Sequence, residues 1–530
     1  MTDRTSDPAT TTPELLTALA EKAPSGVAFV YGGERWTYGQ WLDASKRVAS
    51  ALADMGVGRG SVVGILMTNR PEWLVGLMAA NWLGASIAAF NTWAGDWDLD
   101  YMLRQSGTEA LISLDQFRGR SYIDTLRGLI PEIHNGDPGQ WSSQQFPALR
   151  ELIVVGSTAI RGGRRWEDCI VSPPLEAEAI PLPTDVALVL YTSGSTARPK
   201  GVSLVHQDLI ANGDAIAERM GIISQDRIWV AVPLFWSYGS ANALMVALTH
   251  QATLILQEAF SAVEALGLID AERATVGYFL PHLTRAMYEA PSFDRSLVKS
   301  LRTGLTIGLP HDVHRLYSDF GIEGICNVYG ATETYGNCCV TPFQAPIERR
   351  MASQGPPLEG MTLKILDLES GQELPPGETG EITVSGRITP GYHNDPELSS
   401  TSIHDGYYRS GDIGRVDDEG WLTYHGRATE MIKTGGINVA PAEVEEFLAL
   451  HPDVVQVAVV GIPDDEKGEI VAAGIVARGS LNETDIRDFC EGRIARFKLP
   501  QRIVFLDELP ATDTGKLSRK ALLEQMIKGH

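Results

Sequence analysis

The N-terminal part of the chain alternates two hydrophobic patterns. Residues 38–55 carry apolar side chains at helical spacing, whereas residues 61–67 form an unbroken apolar run typical of a buried strand. A second helical pattern begins at a proline over residues 71–83, and residues 86–90 are again strand-like. This β-α-β rhythm predicts a parallel sheet covered by helices on both faces.

The rhythm returns in the middle of the chain and then changes. Residues 185–191 predict a central strand that leads into a small-residue loop and then into a helix over residues 208–220. Further strands are predicted at residues 227–233 and 252–257. Beyond about residue 355 glycine and proline become dense, and short strands are predicted at residues 362–366, 380–384 and 420–424. We therefore expect a small β-rich subdomain over about residues 355–426.

The last hundred residues have a compact α+β pattern. Helical spacing over residues 441–450 is followed by strand-like runs over residues 454–460 and 470–476, and then by a helical pattern over residues 482–494. A pattern of this length predicts a separate small domain. The whole chain of 530 residues is long enough for two to four structural units.

Charge and composition exclude several classes of protein. The formal net charge of −23 argues against a nucleic-acid binder, which needs a basic surface, and against an anionic membrane as partner. The start of the chain lacks the apolar segment of a signal peptide. The apolar stretch over residues 73–90 is interrupted by polar and glycine residues, so it is too short to span a membrane. We expect a cytoplasmic protein.

The cysteines do not predict a metal or redox site. The chain has five cysteines, an odd number without the spacing of a disulfide framework or of a zinc site. We expect them to be buried small side chains in a reducing compartment. They are Cys169, Cys326, Cys338, Cys339 and Cys490.

The segment YTSGSTARPKG, from Tyr191 to Gly201, is the most distinctive motif. It places hydroxyl groups, two glycines and a lysine directly after a buried strand, and such groups bind phosphate oxygens. Its spacing is not that of a Walker A loop, and no G-x-G-x-x-G follows the strand. The predicted phosphate-binding residues are Thr192, Ser193, Gly194, Ser195, Thr196 and Lys200.

This loop resembles the phosphate loop of the adenylate-forming superfamily, which includes acyl-CoA synthetases, aryl-CoA ligases, luciferases and peptide-synthetase adenylation domains. The family usually has glycine where this chain has Ala197. Other segments resemble family motifs in the family's order, from about residue 15 to residue 525. They are PLFWSYG from Pro233, NVYGATE from Asn327, YRSGD from Tyr408, the pair Gly426-Arg427, MIK and a glycine pair from Met431, and Thr514-Gly515-Lys516.

The resemblance implies that ATP and Mg²⁺ convert a carboxylic acid into an acyl-AMP with release of pyrophosphate. The catalytic residues implied are Lys516, Thr332, Glu333 and Arg427. Thr332 is expected at the α-phosphate, Glu333 at Mg²⁺, and Lys516 between the acid carboxylate and the α-phosphate. Tyr329 and Gly330 would lie at the adenine, Asp412 would accept both ribose hydroxyls, and Arg427 would steady the ribose and phosphates.

The resemblance also implies two domains that move. The large AMP-binding domain is expected over residues 1–428, with parallel sheets covered by helices and the β-rich subdomain. A small, mobile α+β domain with the catalytic lysine is expected over residues 429–530. Thr429 stands at the hinge, where the family more often has Asp or Lys. Hinge and CoA-tunnel residues would be Thr429, Lys433, Gly435, Gly436 and Asn438.

The acid pocket is expected to be apolar and aromatic, which suits a fatty or aryl acid. By resemblance it is lined by Trp236, Tyr238, Asn242, Phe279, Gly304, Ile307 and Gly330. Trp236 stands where the family often has histidine. It also takes the place of the aspartate that peptide-synthetase domains use for an amine, which disfavours an amino acid.

The expected activity is therefore that of an acid–thiol ligase that passes the acyl group from AMP to CoA. One alternative is an adenylating enzyme whose acceptor is an amine, a carrier protein or another small nucleophile. Another is a nucleotide-binding protein without turnover, which the joint presence of Glu333, Asp412 and Lys516 disfavours. The expected partners are the acid, ATP and CoA, without nucleic acid or a membrane span. Monomer and homodimer both remain open.

Overall fold

Two large sheets organise most of the chain in the computed structural model. The structure describes residues 9–177, 181–192, 198–434, 437–439, 441–464, 467–491, 493–494, 496–512 and 517–528. One sheet has eight strands, parallel except at its two ends. In spatial order these are Cys339–Val340, Gly324–Tyr329, Thr303–Thr306, Val276–Tyr278, Arg227–Val230, Thr253–Leu256, Val27–Tyr31 and Glu34–Thr37.

The second large sheet has seven strands and contains the strand that precedes the phosphate loop. Its spatial order is Lys200–Val205, Val186–Thr192, Ser86–Phe90, Val62–Leu66, Ala110–Leu114, Glu151–Val155 and Arg164–Arg165. The predicted strand is therefore next to the edge and not central. The prediction also missed Lys200–Val205, which pairs antiparallel with Val186–Thr192 in the register Thr192 to Lys200. The two ends of the phosphate loop thus lie side by side.

Helices cover the two large sheets, as the β-α-β rhythm predicts. The helix Pro71–Trp82 is buried on all sides, because its side chains are apolar around the whole circumference. Two other helices begin with a capping box, at Thr11 and at Thr37. These two helices are Thr12–Lys22 and Tyr38–Asp54. The remaining helices of this part are Asp96–Ser106, Tyr122–Leu129, Trp166–Ile170, His206–Met220, Met245–Thr249, Ala262–Ala271, Pro281–Tyr288, Pro310–Ser318 and Ile347–Ala352.

The β-rich subdomain was predicted from three short strand patterns, and the structure has there an antiparallel sheet of five strands. Its strands are Thr362–Leu366, Gly380–Ser385, Ile403–His404, Tyr407–Val416 and Leu422–Arg427, with the helix Pro396–Ser402 between two of them. The last strand begins and ends later than the pattern at residues 420–424 predicts, because Gly420 has a left-handed φ of 81° and belongs to the preceding turn.

The C-terminal part is a smaller domain with its own sheet and core. Five strands form the sheet: Ile432–Thr434, Ile437–Val439, Val454–Asp464, Gly468–Ala477 and Arg502–Phe505. Its helices are Pro441–Leu448, Glu483–Cys490 and Arg519–Lys528. Two apolar clusters lie on the sheet, one containing Val444, Leu448 and Ile486 and the other Leu522 and Met526. These elements match the predicted α+β pattern.

All five cysteines are free and buried, as expected for small apolar side chains. Among the described residues no helix is long and apolar enough to cross a membrane.

Candidate active site

One short segment holds the predicted site together. It follows the strand Gly324–Tyr329, whose carboxyl end faces a sharp loop. Gly330 is required there, because a Cβ atom on it would lie 2.4 Å from the Gly336 carbonyl oxygen. Backbone packing therefore leaves no room for a side chain at residue 330. The next residues, Thr332 and Glu333, point toward two different groups of predicted site residues.

Tyr329, Asp412 and Arg427 meet on one side of this segment. The Tyr329 hydroxyl donates to Asp412 Oδ2 at 2.8 Å, and Arg427 Nε lies 2.8 Å from Asp412 Oδ1. Asp412 is only 4% exposed, and burial raises its pKa, opposed by the charge of Arg427. The Arg427 contact has ion-pair distance but not hydrogen-bond direction, so Oδ1 accepts no hydrogen bond among the described residues. A buried carboxylate oxygen of this kind can accept from a ligand hydroxyl.

On the other side, Glu333 and Lys200 both lie next to Tyr392, a residue that was not predicted from the sequence. The Tyr392 hydroxyl donates to Glu333 Oε1 at 2.8 Å, and Lys200 Nζ lies 5.9 Å from the centre of the Tyr392 ring. Glu333 is buried, so its carboxylate is a hard oxygen ligand held in a fixed place. That donor chemistry fits Mg²⁺, which commonly uses one or two protein carboxylates and takes its other ligands from phosphate and water.

Thr332 connects the segment to the predicted acid pocket. Its hydroxyl donates to Ser237 Oγ at 3.2 Å. Ser237 precedes a π-helix over Tyr238–Leu244, in which every residue is buried. Short π-helical segments are frequent at functional sites. Within it, the Tyr238 hydroxyl donates to the Phe279 carbonyl oxygen, and Asn242 Oδ1 accepts from the hydroxyl of Tyr278 at 2.7 Å.

The other predicted pocket residues differ in their burial. The Phe279 ring is fully buried in an apolar cluster, where it meets Trp229 at a tilt and Phe320 edge to face, and it lies beneath Gly304. Ile307 follows the strand Thr303–Thr306 and is 46% exposed.

Trp236 is half-buried and lies in an aromatic cluster. Its ring meets Trp93 edge to face at 5.2 Å, and Trp93 also contacts Phe235 at 5.5 Å. Trp93 itself remains 46% exposed, so this cluster lies at the protein surface beside the acid segment.

Several predicted residues lie outside the part of the chain that the structure describes. They are Ser193, Gly194, Ser195, Thr196, Gly435, Gly436 and Lys516, together with Ala197. The side chains of Thr429 and Asn438 are likewise outside the description. Lys433 is exposed, and its backbone N–H donates to Glu469 Oε2.

Three tyrosines that support the motifs were not predicted. The hydroxyl of Tyr392 donates to Glu333, that of Tyr278 donates to Asn242, and that of Tyr335 accepts from the strand after the phosphate loop. Tyr335 has a left-handed φ of 58° although it is not glycine, and its hydroxyl accepts from the N–H of Val205, the last residue of the strand after the phosphate loop. None of these three tyrosines belongs to a motif with a fixed spacing, so the sequence alone could not have predicted their contacts.

Within the small domain, Arg519 contacts a residue next to the predicted hinge. Arg519 Nε lies 3.1 Å from Glu430 Oε2, directly after Thr429, and the same guanidinium pairs with the buried Glu445. Arg519 also donates to the Val459 carbonyl oxygen. The last helix is thus tied to the predicted hinge segment through one arginine.

Residues 16–393 match the family described as AMP-binding enzyme, and residues 443–516 match its C-terminal domain. The chain belongs to the AMP-binding enzyme family. This explains why the motifs occur in order over nearly the whole length and why two domains of unequal size are present.

Members of the AMP-binding family that resemble the chain cover it almost completely. The putative acyl-CoA synthetase YngI of Bacillus subtilis (strain 168) is 34% identical over 97% of this chain and 96% of that protein. The indoleacetate–CoA ligase of Aromatoleum aromaticum is 33% identical over 95% and 96%. A solved structure, the anthranilate CoA ligase AuaEII in complex with anthranoyl-AMP, has a TM-score of 0.85, with 26% identity over 97% of both chains.

Proposed function

We propose that this chain is an AMP-forming acid–CoA ligase that activates a fatty or aromatic carboxylic acid with ATP. The observation that carries the proposal is the segment from Tyr329 to Glu333. Its side chains contact Asp412 of the predicted ribose site, Ser237 in the predicted acid segment, and Tyr392, which lies beside Lys200 of the phosphate loop. Similarity to acyl-CoA and aryl-CoA ligases over nearly the whole chain supports the same reaction.

The proposed first step is attack of the acid carboxylate on the α-phosphorus of ATP. Both reactants are negative, so positioned positive charge and hydrogen-bond donors are needed. Thr332 would donate to the α-phosphate and Lys516 would bridge the phosphate and the carboxylate. Glu333 would hold Mg²⁺, which neutralises polyphosphate charge when bound.

Asp412 and Arg427 would fix the nucleotide during this step. Asp412 would accept from the ribose hydroxyls through its carboxylate, whose Oδ1 accepts no hydrogen bond among the described residues. Arg427 would stay paired with Asp412 while its guanidinium faces the ribose and phosphate side. The Tyr329 and Gly330 backbone would lie against the adenine.

The proposed second step is attack of the CoA thiol on the acyl-AMP, after the small domain has rotated about Thr429. The boundary between domains is therefore proposed at residues 428 and 429. Lys433, Gly435, Gly436 and Asn438 would line the path of the pantetheine arm, since glycine allows close approach to the backbone. We also propose a cytoplasmic location, because five free, buried cysteines fit a reducing compartment.

Acid-dependent exchange of pyrophosphate into ATP, measured without CoA, tests the first step. A panel of fatty, aryl and arylacetic acids should give exchange with one class, and CoA should then yield the acyl-CoA with one AMP per thioester. Lys516→Ala should lower exchange by orders of magnitude while ATP binding persists. Exchange without any CoA-dependent product would favour another acceptor, and no exchange with any acid would contradict the proposal.

A further inference from the structure

The π-helix beside Thr332 contains a buried hydrogen-bond donor without a partner. Asn242 is fully buried, and its Nδ2 makes no hydrogen bond within the part of the chain that the structure describes. Its Oδ1 accepts from the Tyr278 hydroxyl at 2.7 Å. Reversing the amide would not remove the problem, because the NH₂ group has two donors and Tyr278 could satisfy only one of them.

An unpartnered buried donor is costly, so its retention needs a reason. An apolar residue of similar size at position 242 would leave no unpartnered donor at this place in the π-helix. Tyr278 is also fully buried, and its ring packs against Tyr238 at 5.1 Å. The phenol therefore fixes the Asn242 amide in one orientation and leaves the NH₂ group as the available donor.

Asn242 lies on the π-helix that follows Ser237, the residue in contact with Thr332. Ser237, which accepts from Thr332, lies five residues earlier, about one turn of the π-helix away. Gly336 faces both residues: a Cβ atom on it would lie 3.4 Å from the Ser237 carbonyl oxygen and 3.7 Å from Asn242 Cβ. Gly336 therefore packs closely against the π-helix and connects it to the segment that contains Thr332.

We infer that Asn242 selects acids that carry a hydrogen-bond-accepting oxygen, such as an ether, carbonyl or hydroxyl, about one helical turn from the carboxylate. The inference rests on the proposed acid activation and names the substrate class of the same site. The aromatic walls bind the apolar part of the acid, and the Asn242 NH₂ group donates to the oxygen. A purely hydrocarbon acid leaves that donor unsatisfied.

Paired acids of equal shape test the inference. The first series consists of straight medium-chain acids in which single methylene groups are replaced in turn by an ether oxygen. The second series compares aryl acids that carry a methoxy group with the same acids that carry an ethyl group. In the wild-type protein, the kcat/KM of pyrophosphate exchange should favour the oxygen-containing member about tenfold at one position. The ratio within each pair cancels general effects on activity.

Three variants locate the effect. Asn242→Leu should bring the ratio close to one, and Tyr278→Phe should reduce it because the amide is no longer held. Ser240→Ala is the matched control on the same π-helix: its hydroxyl donates to the Trp236 carbonyl oxygen, and the ratio should stay at the wild-type value.

The outcomes separate the two claims. Exchange with hydrocarbon and oxygen-containing acids at equal kcat/KM in the wild type would overturn the role of Asn242 and leave acid activation standing. A preference that persists in Asn242→Leu would also overturn it. Exchange with no acid would overturn the proposed function itself, and this inference with it.

Discussion

At the scale of single residues, the predicted motifs meet because unpredicted side chains connect them. Tyr329, Thr332, Glu333 and Asp412 could be identified from the sequence, since each belongs to a motif with fixed neighbours. Tyr392 could not, because its partner Glu333 lies 59 residues earlier and only the fold joins them.

Tyr392→Phe should weaken the apparent affinity for Mg²⁺ without unfolding the protein. The variant removes one hydrogen bond to Glu333, which leaves the carboxylate less well positioned and should raise the Mg²⁺ concentration for half-maximal exchange by about 3- to 10-fold. The measurement is pyrophosphate exchange titrated with Mg²⁺. Tyr31→Phe is the control, because Tyr31 makes the same 2.8 Å bond to Glu258 in another part of the large domain. Equal titrations for both variants would contradict a role for Tyr392 at the metal.

At the scale of elements, helices and strands with a clear hydrophobic period were predicted and the phosphate-loop hairpin was not. Lys200–Val205 begins at the end of a motif rich in glycine, proline and serine, so its strand pattern is short. The order of strands was also beyond local patterns. Val27–Tyr31 pairs with Thr253–Leu256, more than two hundred residues away, and no period in the sequence encodes such a contact.

Arg519→Met should destabilise the small domain strongly. Glu445 is almost fully buried and pairs with Arg519, so the variant leaves a buried carboxylate without its cation. Loss of one partner of a buried pair costs about 3–5 kcal/mol. Urea unfolding of Arg519→Met, Glu445→Met and the double variant measures this. The double variant should recover much of the loss, and additive losses would contradict the proposed coupling.

The helix Pro441–Leu448 should make stability depend on pH through Glu446. Burial first, and then the charges of Glu443 and Glu445, raise the pKa of Glu446 from 4.5 to about 7. Between those values the folded state holds the extra proton, so stability falls as pH rises through this window and the cost is complete above pH 7. That cost is about 2 kcal/mol, allowing for partial exposure.

Glu446→Gln should therefore raise the free energy of unfolding at pH 8 and change it little at pH 5. Denaturant unfolding at both pH values measures the difference. Glu378→Gln, at an exposed position of the large domain, is the control and should leave the pH dependence as in the wild type. A benefit of Glu446→Gln that is larger at pH 5 than at pH 8 would contradict the assignment.

At the scale of the whole molecule, the proposed reaction needs both domains. The large domain would supply the nucleotide and acid sites, and the small domain would supply Lys516. Length and texture were enough to predict two unequal domains. They could not predict how the domains meet, because no local pattern relates residues such as His425 and Glu443, whose Nδ1 and Oε1 atoms lie 3.8 Å apart across the proposed boundary.

The most direct test of acid activation follows an oxygen atom. An acid that supports exchange is labelled with ¹⁸O in its carboxylate and incubated with the protein, ATP, Mg²⁺ and CoA, and the products are analysed by mass spectrometry. Attack on the α-phosphorus predicts AMP with one ¹⁸O atom and unlabelled pyrophosphate. Label in inorganic phosphate with formation of ADP would mean attack on the γ-phosphorus and would contradict the account.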